Sequence, residues 1–491
     1  MSIKRIFQTG MALLLVLSML VSFAACNKDD TQTPTGTTEN NETDSPDENS
    51  LAFPKTDLKS DFNILYPEWG LYADHFFATE EQAGETMADA ILERSDLIFD
   101  YLGVDLYGMP TPTHGVQNIR AISIEVENKI ASGDDAYQLV LTHTFESVTP
   151  MALGGYLLDF YEIDHINLDA DYWNRGAVDS MAVGGVGYYA LSDFMISDPV
   201  AVFFNKQMLE DYEELDNPYQ LVRDGEWTLD KLFEMSAAVD FDNDGLADPL
   251  SGTYGFSAQA DWTFISLIDS CNVSLLEDYG GVKLLNMSAG NQAYADLLTK
   301  VWTKMGEDWV HLYPYGAPAE SKLTIDDDNV LFSMEPLRDA YKHREADVVF
   351  GILPTPTGTA GQEYRSFDWS GMMCVPNIVE NTEVLGKTLE ALSYFSQETT
   401  KIAYYEKLLG ARLADAPEDK EMLDVIWDSI VLNPVINYMG NSGEDIGKLV
   451  YTIGRGVAGV LANGKPGYDI ASHWNQYKSG AQKALDKFFA P

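Results

Sequence analysis

From Asp61 to the end of this 491-residue chain, short apolar runs alternate with amphipathic stretches. This alternation is what most restricts the fold. Phe62-Asn63-Ile64-Leu65-Tyr66 reads as a strand bounded by polar residues. Glu85 to Leu102 carries Met87, Ile91, Ile98 and Leu102 at helical spacing, and Gly103 stands where such a helix stops. Tyr137 to Leu141, Ala201 to Phe204 and Val348 to Leu353 read as further strands. Thr228 caps a helix that carries Leu229, Leu232, Phe233 and Ser236. Helices dominate from Val384 onward. Strands alternating with helices imply α/β layering around mainly parallel sheets. The chain is too long for one ordinary core, so two globular lobes are expected.

The first 25 residues read as an address. Lys4 and Arg5 precede an apolar run from Met11 to Ala25. That run is too short to cross a bilayer comfortably, which takes about 20 residues, and suits a signal-peptide core. It ends in Ser22-Phe23-Ala24-Ala25-Cys26, which resembles a bacterial lipobox, and that resemblance makes Cys26 the lipidation site. Asn27 to Ser50 is nearly devoid of apolar residues and cannot build a core. Residues 26–57 are therefore expected to form a lipidated, acidic tether. No later segment has the length and apolarity of a membrane span. The expected location is the extracellular face of the cell membrane, held by lipid.

Charge excludes several partners. There are 31 basic residues against 77 acidic ones, a net charge of −46. Nucleic acid needs clustered Lys and Arg, and attraction to anionic lipid needs the same. Three cysteines, without a Cys-x-x-Cys, make no zinc cluster and no disulfide framework. Cys271 and Cys374 are either a pair or two buried thiols. Gly454 to Gly459 spells G-x-G-x-x-G, but no strand precedes it and too little chain follows for a dinucleotide-binding unit. Asp240, Asp242, Asp244 and Asp248 alternate around Gly245 like the first part of a calcium loop. Its twelfth position is Ser251 where an EF-hand has a bidentate Glu. A structural calcium and a solvated turn both remain open, and no cofactor is required.

In chain order, several segments resemble the extracellular solute-binding proteins of the maltose-binding type, substrate-binding lipoproteins of ABC transporters. These are Asp89 to Arg94, Ser132 to Val140, Leu168 to Asn174, Phe203-Phe204-Asn205-Lys206, Trp227 to Asp230, Phe350 to Pro354, Leu389 to Leu392 and Tyr404-Tyr405-Glu406. The resemblance runs from about residue 60 to the C-terminus. It implies the two-lobed periplasmic-binding-protein-like α/β fold, with an interlobe ligand cleft and a hinge. Lobe one would hold 58–193 and 370–412, and lobe two 194–369 and 413–491. It further implies a binding protein, not an enzyme, that closes on a small solute, most simply a carbohydrate, and delivers it to ABC permease subunits.

Sugar recognition needs aromatic faces for pyranose C–H groups and polar groups for hydroxyls. Open α/β sheets bind ligands at the carboxyl ends of their strands. Glu68 and Trp69 follow the first strand; His143, Thr144 and Glu146 follow the Tyr137–Leu141 strand. The resemblance points to Trp262 as a stacking aromatic, to Asp198 near the first crossing between lobes, and to Arg365 and Trp369 near the second. A membrane-anchored glycoside hydrolase would need two facing carboxylates, and the sequence singles out no such pair. A binder of another polar solute on the same fold is the other alternative.

Overall fold

The structure, a computed structural model, describes residues 51–68, 76–111, 116–143, 147–239, 249–260, 262–279, 282–314, 316–343, 346–405, 416–439, 447–449 and 469–488. The strands in chain order are β1 (Ser60–Tyr66), β2 (Val104–Pro110), β3 (Leu139–His143), β4 (Val200–Asn205), β5 (Tyr254–Gln259), β6 (Leu276–Tyr279), β7 (Val282–Leu285), β8 (Val310–Tyr313), β9 (Val330–Pro336), β10 (Phe350–Leu353), β11 (Ser366–Phe367), β12 (Gly371–Cys374) and β13 (Ile430–Val431). The helices are α1 (Thr86–Leu102), α2 (Val116–Ser132), α3 (Val148–Leu153), α4 (Arg175–Met181), α5 (Lys206–Asp211), α6 (Pro218–Arg223), α7 (Leu229–Ala237), α8 (Trp262–Ser270), α9 (Gln292–Met305), α10 (Asp339–Lys342), α11 (Thr382–Glu398), α12 (Pro417–Asp428), α13 (Pro434–Met439) and α14 (Ile470–Phe488).

Local chemistry explains several of these boundaries. The buried stripe of α1 is Met87, Ile91, Arg94, Ile98 and Leu102, a helical repeat that faces the core. The helix ends at Gly103, whose φ of 63° lets its N–H turn back to the Phe99 carbonyl at 2.7 Å. A side chain there would also collide with the Asp57 carboxylate. Thr228 caps α7 by accepting from the Lys231 N–H at 3.2 Å, as expected. Asn381 does the same for α11 with Val384 at 3.1 Å.

Two strands depart from their expected limits. β3 starts and ends two residues later than Tyr137–Leu141. The chain just before it is tied to β1 partly by side chains instead: the Asn63 N–H donates to Gln138 Oε1 and Asn63 Nδ2 to the Ala136 carbonyl. β10 omits Val348 and Val349, and Val349 is an exposed apolar residue.

The first sheet has the order β12-β3-β1-β2 and the second β10-β4-β9-β5-β8. Both are mixed, not mainly parallel. In the first, β1 runs parallel to β2 and β3, and β12 runs antiparallel to β3. In the second, β5 is parallel to β8 and β9, while β4 is antiparallel to β9 and β10. The cause is topological. β4 and β12 enter their sheets directly from a crossing segment, without the helical return that keeps neighbouring strands parallel. β3, β4, β5 and β9 are buried along their whole lengths, as strands covered on both faces must be.

The fold is therefore α/β with two lobes, one around each sheet. Pro199 and Asp368 form an antiparallel bridge where the chain passes from the first sheet to the second and back. β11 and β13 lie parallel beside this crossing, Ser366 opposite Ile430. α1 packs against α11, and α12 packs on β10 and α6. α13 packs on α3, and the Tyr438 hydroxyl donates to the Met181 carbonyl at 2.7 Å. α14 lies on β7 and α9.

Segments singled out in the sequence meet as buried polar clusters. Glu390, 1% exposed, accepts from the Tyr172 hydroxyl at 2.6 Å and Trp173 Nε1 at 2.8 Å. Asp419, fully buried, accepts from Lys206 Nζ at 2.8 Å, the Tyr219 hydroxyl at 2.5 Å and the Ile352 N–H at 2.9 Å. Cys271 and Cys374 are both buried and free. Among the described residues no helix is long and apolar enough to cross a membrane.

Candidate functional site

The carboxyl ends of the central strands converge on the crossing. His143, the last residue of β3, pairs with Gly371 at the start of β12. Pro336, the last residue of β9, pairs with Val200 at the start of β4. Arg338 follows directly, and its Nη1 lies 2.7 Å from Asp198 Oδ2. The Arg338 N–H also donates to Asp198 Oδ1 at 3.1 Å. The Asp198 N–H donates in turn to Asp368 Oδ1 at 2.8 Å, and Ser370 Oγ donates to Asp368 Oδ2 at 2.7 Å. The two crossing segments are thus joined by carboxylates that sit out of water.

Burial sets the electrostatics here. It pushes the Asp198 carboxyl up to about 6; the Arg338 charge pulls the other way. Asp368 is raised by the same cause. His143 is pushed down to about 3, first by burial and then by the Arg338 charge. At neutral pH its ring is uncharged, with one nitrogen to donate and one to accept. Burial also raises the Tyr404 hydroxyl well above its ordinary value, and Asp198 adds to the rise.

The candidates named from the sequence fall into four groups. His143, Asp198, Arg365 and Trp369 gather around the crossing. The Asp198 carboxylate is committed to Arg338, and the Trp369 indole N–H donates to Ser266 Oγ on α8 at 2.6 Å. Glu68 lies exposed just beyond β1. Trp262 opens α8, which follows β5, but its side chain is outside the described set. Trp69, Thr144 and Glu146 lie outside the described residues, as do Cys26, Asp240, Asp242, Asp244, Asp248 and the glycines of 454–459. Among the described residues no group of three or more His, Cys, Asp or Glu is placed to hold a metal ion.

Other residues here had weak sequence signals or none. Arg338 and Glu335 stand beside the late strand, but only the fold separates their roles. Glu335 turns inward, accepting from Ser333 Oγ at 2.5 Å and meeting His343 Nε2 at 2.9 Å. Burial opposes the His343 charge, yet its bonds to Asp326 and Glu335 raise it to about 10. Asp269 and Asn433 had no local signal. They border a pocket of about 370 Å³ lined by residues of α4 and α8, the 272–277 segment and the 430–436 segment, with Arg365 on its wall. A second pocket, of about 430 Å³, is lined by residues that include Asn174, Ser197, Lys401 and Trp427.

No family model matches the chain, and no curated protein matches it in sequence. Solved structures do match in fold. A cyclo/maltodextrin-binding protein complexed with maltotetraose aligns with a TM-score of 0.54 at 13% identity, covering 89% of this chain and 99% of the other. The galacto-N-biose-/lacto-N-biose I-binding protein of the ABC transporter from Bifidobacterium longum, in complex with lacto-N-biose, gives 0.54 at 13%, covering 87% and 97%. Maltose-binding periplasmic protein MalE from Listeria monocytogenes, in complex with maltose, gives 0.53 at 13%, covering 87% and 98%. The architecture is that of two-lobed, periplasmic-binding-protein-like folds. At this identity the likeness establishes the fold alone.

Proposed function

We propose that this chain is the extracytoplasmic solute-binding lipoprotein of an ABC importer, capturing a sugar or short oligosaccharide as its lobes close about the crossing. The observation that carries the reading is the convergence of β3 and β9 on the crossing, where neutral His143 and the Arg338–Asp198 pair bring both lobes' strand ends together. Open α/β sheets bind ligands at such ends, and hinged lobes close around what binds between them. The fold neighbours point the same way: the three described above are each complexed with a saccharide.

The two buried carboxylates at the crossing argue for capture over hydrolysis. Asp198 is engaged by Arg338, and Asp368 by Ser370 and the Asp198 N–H. Neither stands free to protonate a glycosidic oxygen or to attack a sugar carbon. The signal-like segment and Cys26 support a lipid anchor on the outer face of the cell membrane, with ABC permease subunits as the partners that take over the solute.

A thermal-shift screen of the full chain against maltose, maltotetraose, lacto-N-biose and monosaccharides tests the reading. A ligand that binds only the folded state stabilises it by RT ln(1 + [L]/Kd). A saturable upward shift without product formation supports capture. Sustained release of smaller sugars would support the hydrolase instead. No response to any saccharide would leave the carbohydrate assignment without support. Replacing Cys26 by Ala should move the protein from the membrane fraction to the medium.

A further inference from the structure

The crossing buries more negative charge than positive. Two carboxylates meet there, Asp198 from the outgoing segment and Asp368 from the returning one, and both are out of water. Asp368 Oδ1 accepts from the Asp198 N–H at 2.8 Å and the Ser370 N–H at 2.9 Å, and its Oδ2 accepts from Ser370 Oγ at 2.7 Å. All three donors are neutral. The cation facing Asp198 is Arg338, with Nη1 at 2.7 Å from Oδ2 and its own N–H at 3.1 Å from Oδ1. Asp339 on α10 and the Tyr404 hydroxyl, from the segment after α11, also face Asp198, and His143 of β3 faces Arg338. None of these three supplies a second positive charge near neutral pH. With both carboxylates ionised, Asp198, Asp368 and Arg338 together hold one surplus negative charge.

A proton relieves a buried surplus of that sign. Taking a charged cluster out of water favours its neutral form. Three donors hold Asp368 as the carboxylate, so the proton falls to Asp198, whose carboxyl burial already lifts to about 6. Arg338 is the least covered member of the cluster: its side chain is 34% exposed, against 1% for that of Asp198. It follows β9 and faces His143 at the end of β3, where the two sheets converge. Closing the lobes displaces water from that guanidinium, and a solute held between them displaces more. The surplus charge then has less solvent to screen it, and the protonated cluster gains. Linkage is reciprocal, so the same proton strengthens binding.

We propose that solute capture is coupled to the uptake of a proton by Asp198 at the crossing, so that acidification of the medium tightens the hold of the lobes on the solute. The coupling rests on the capture reading above and adds to it a response to external pH.

Calorimetric titration of the full chain with maltose, maltotetraose and lacto-N-biose at pH 5 and pH 7.5 tests it, beside Asp198→Asn and Arg338→Gln. Runs at pH 6 in two buffers of different ionisation enthalpy count the protons taken up. The parent should bind about fivefold more tightly at pH 5 than at pH 7.5, the lower end of ordinary coupling between sites, and should take up part of a proton at pH 6. Asp198→Asn keeps the side-chain shape and balances the charges, so its affinity should not follow pH and its binding should move no proton. Arg338→Gln leaves both carboxylates without their cation, so its profile should shift to higher pH; this keeps the test open if Asp198→Asn does not fold. A parent affinity that is flat or falls on acidification, or a profile that Asp198→Asn retains, overturns the coupling and leaves sugar capture standing. A parent that binds none of the saccharides overturns the sugar reading instead. Small-angle scattering without solute then decides the coupling. The radius of gyration should fall from pH 7.5 to pH 5 in the parent and not in Asp198→Asn; equal changes in the two, or none, overturn it.

Discussion

Replacing Asp198 by Asn should change how stability depends on pH. Asp198 is 1% exposed, and burial pushes its carboxyl from 3.8 to about 6; Arg338 opposes the rise, and Asp339 and Asp368 add to it. The folded-state value lies above the unfolded one. Between about pH 4 and 6 the folded protein therefore holds a proton that the unfolded chain has released. The stability linked to that proton is complete below about pH 4 and is lost as pH rises through about 6. The gap from 3.8 to about 6 corresponds to about 3 kcal/mol, at about 1.4 kcal/mol per pH unit. The Arg338 ion pair is already contained in that value. Asparagine does not titrate. Equilibrium urea unfolding of parent and Asp198→Asn, followed by tryptophan fluorescence at pH 4 and pH 7.5, gives the difference directly. Its change between the two pH values should favour the variant by about 3 kcal/mol, and groups that titrate alike in both proteins cancel. Parallel pH profiles, or a parent that gains on the variant as pH rises, would refute the burial argument.

Other consequences are open to simpler tests. Trp262→Ala should weaken binding of the captured saccharide by about 1 kcal/mol or more, the scale of an aromatic stacking contact; unchanged calorimetric affinity would remove Trp262 from the cleft. Asp419→Ala leaves Lys206, the Tyr219 hydroxyl and the Ile352 N–H without their shared acceptor. Its unfolding free energy should fall by about 3–5 kcal/mol, and an unshifted urea midpoint would contradict that cluster. Burial raises both thiols, Cys271 to about 12, so a thiol reagent at pH 8 should label neither in the native protein and both in guanidinium. Rapid native labelling would show that one of them is reachable.

Much of the local structure was legible in the sequence. The α1 stripe and its Gly103 stop, the Thr228 cap and the buried runs of β1 and β4 depend on neighbours a few residues away, and those neighbours are written in order along the chain. The resemblance carried the two-lobed architecture, and with it the expectation that Asp198, Arg365 and Trp369 gather near a crossing. Strand direction was not legible. β4 and β12 turn antiparallel because they enter from the crossing, and no periodicity records which way a strand enters a sheet. Nor was the division of labour among charged groups. Asp198 and Arg338 are 140 residues apart, and Asp269 and Asn433 are 164 apart. A lone Asp or Asn in a sequence reads as solvated until the packing around it is known. Helix and strand follow from short-range sterics and hydrophobic spacing; which carboxylate is shielded, paired or left open to a ligand depends on what the crossing brings beside it, and only the tertiary structure decides that.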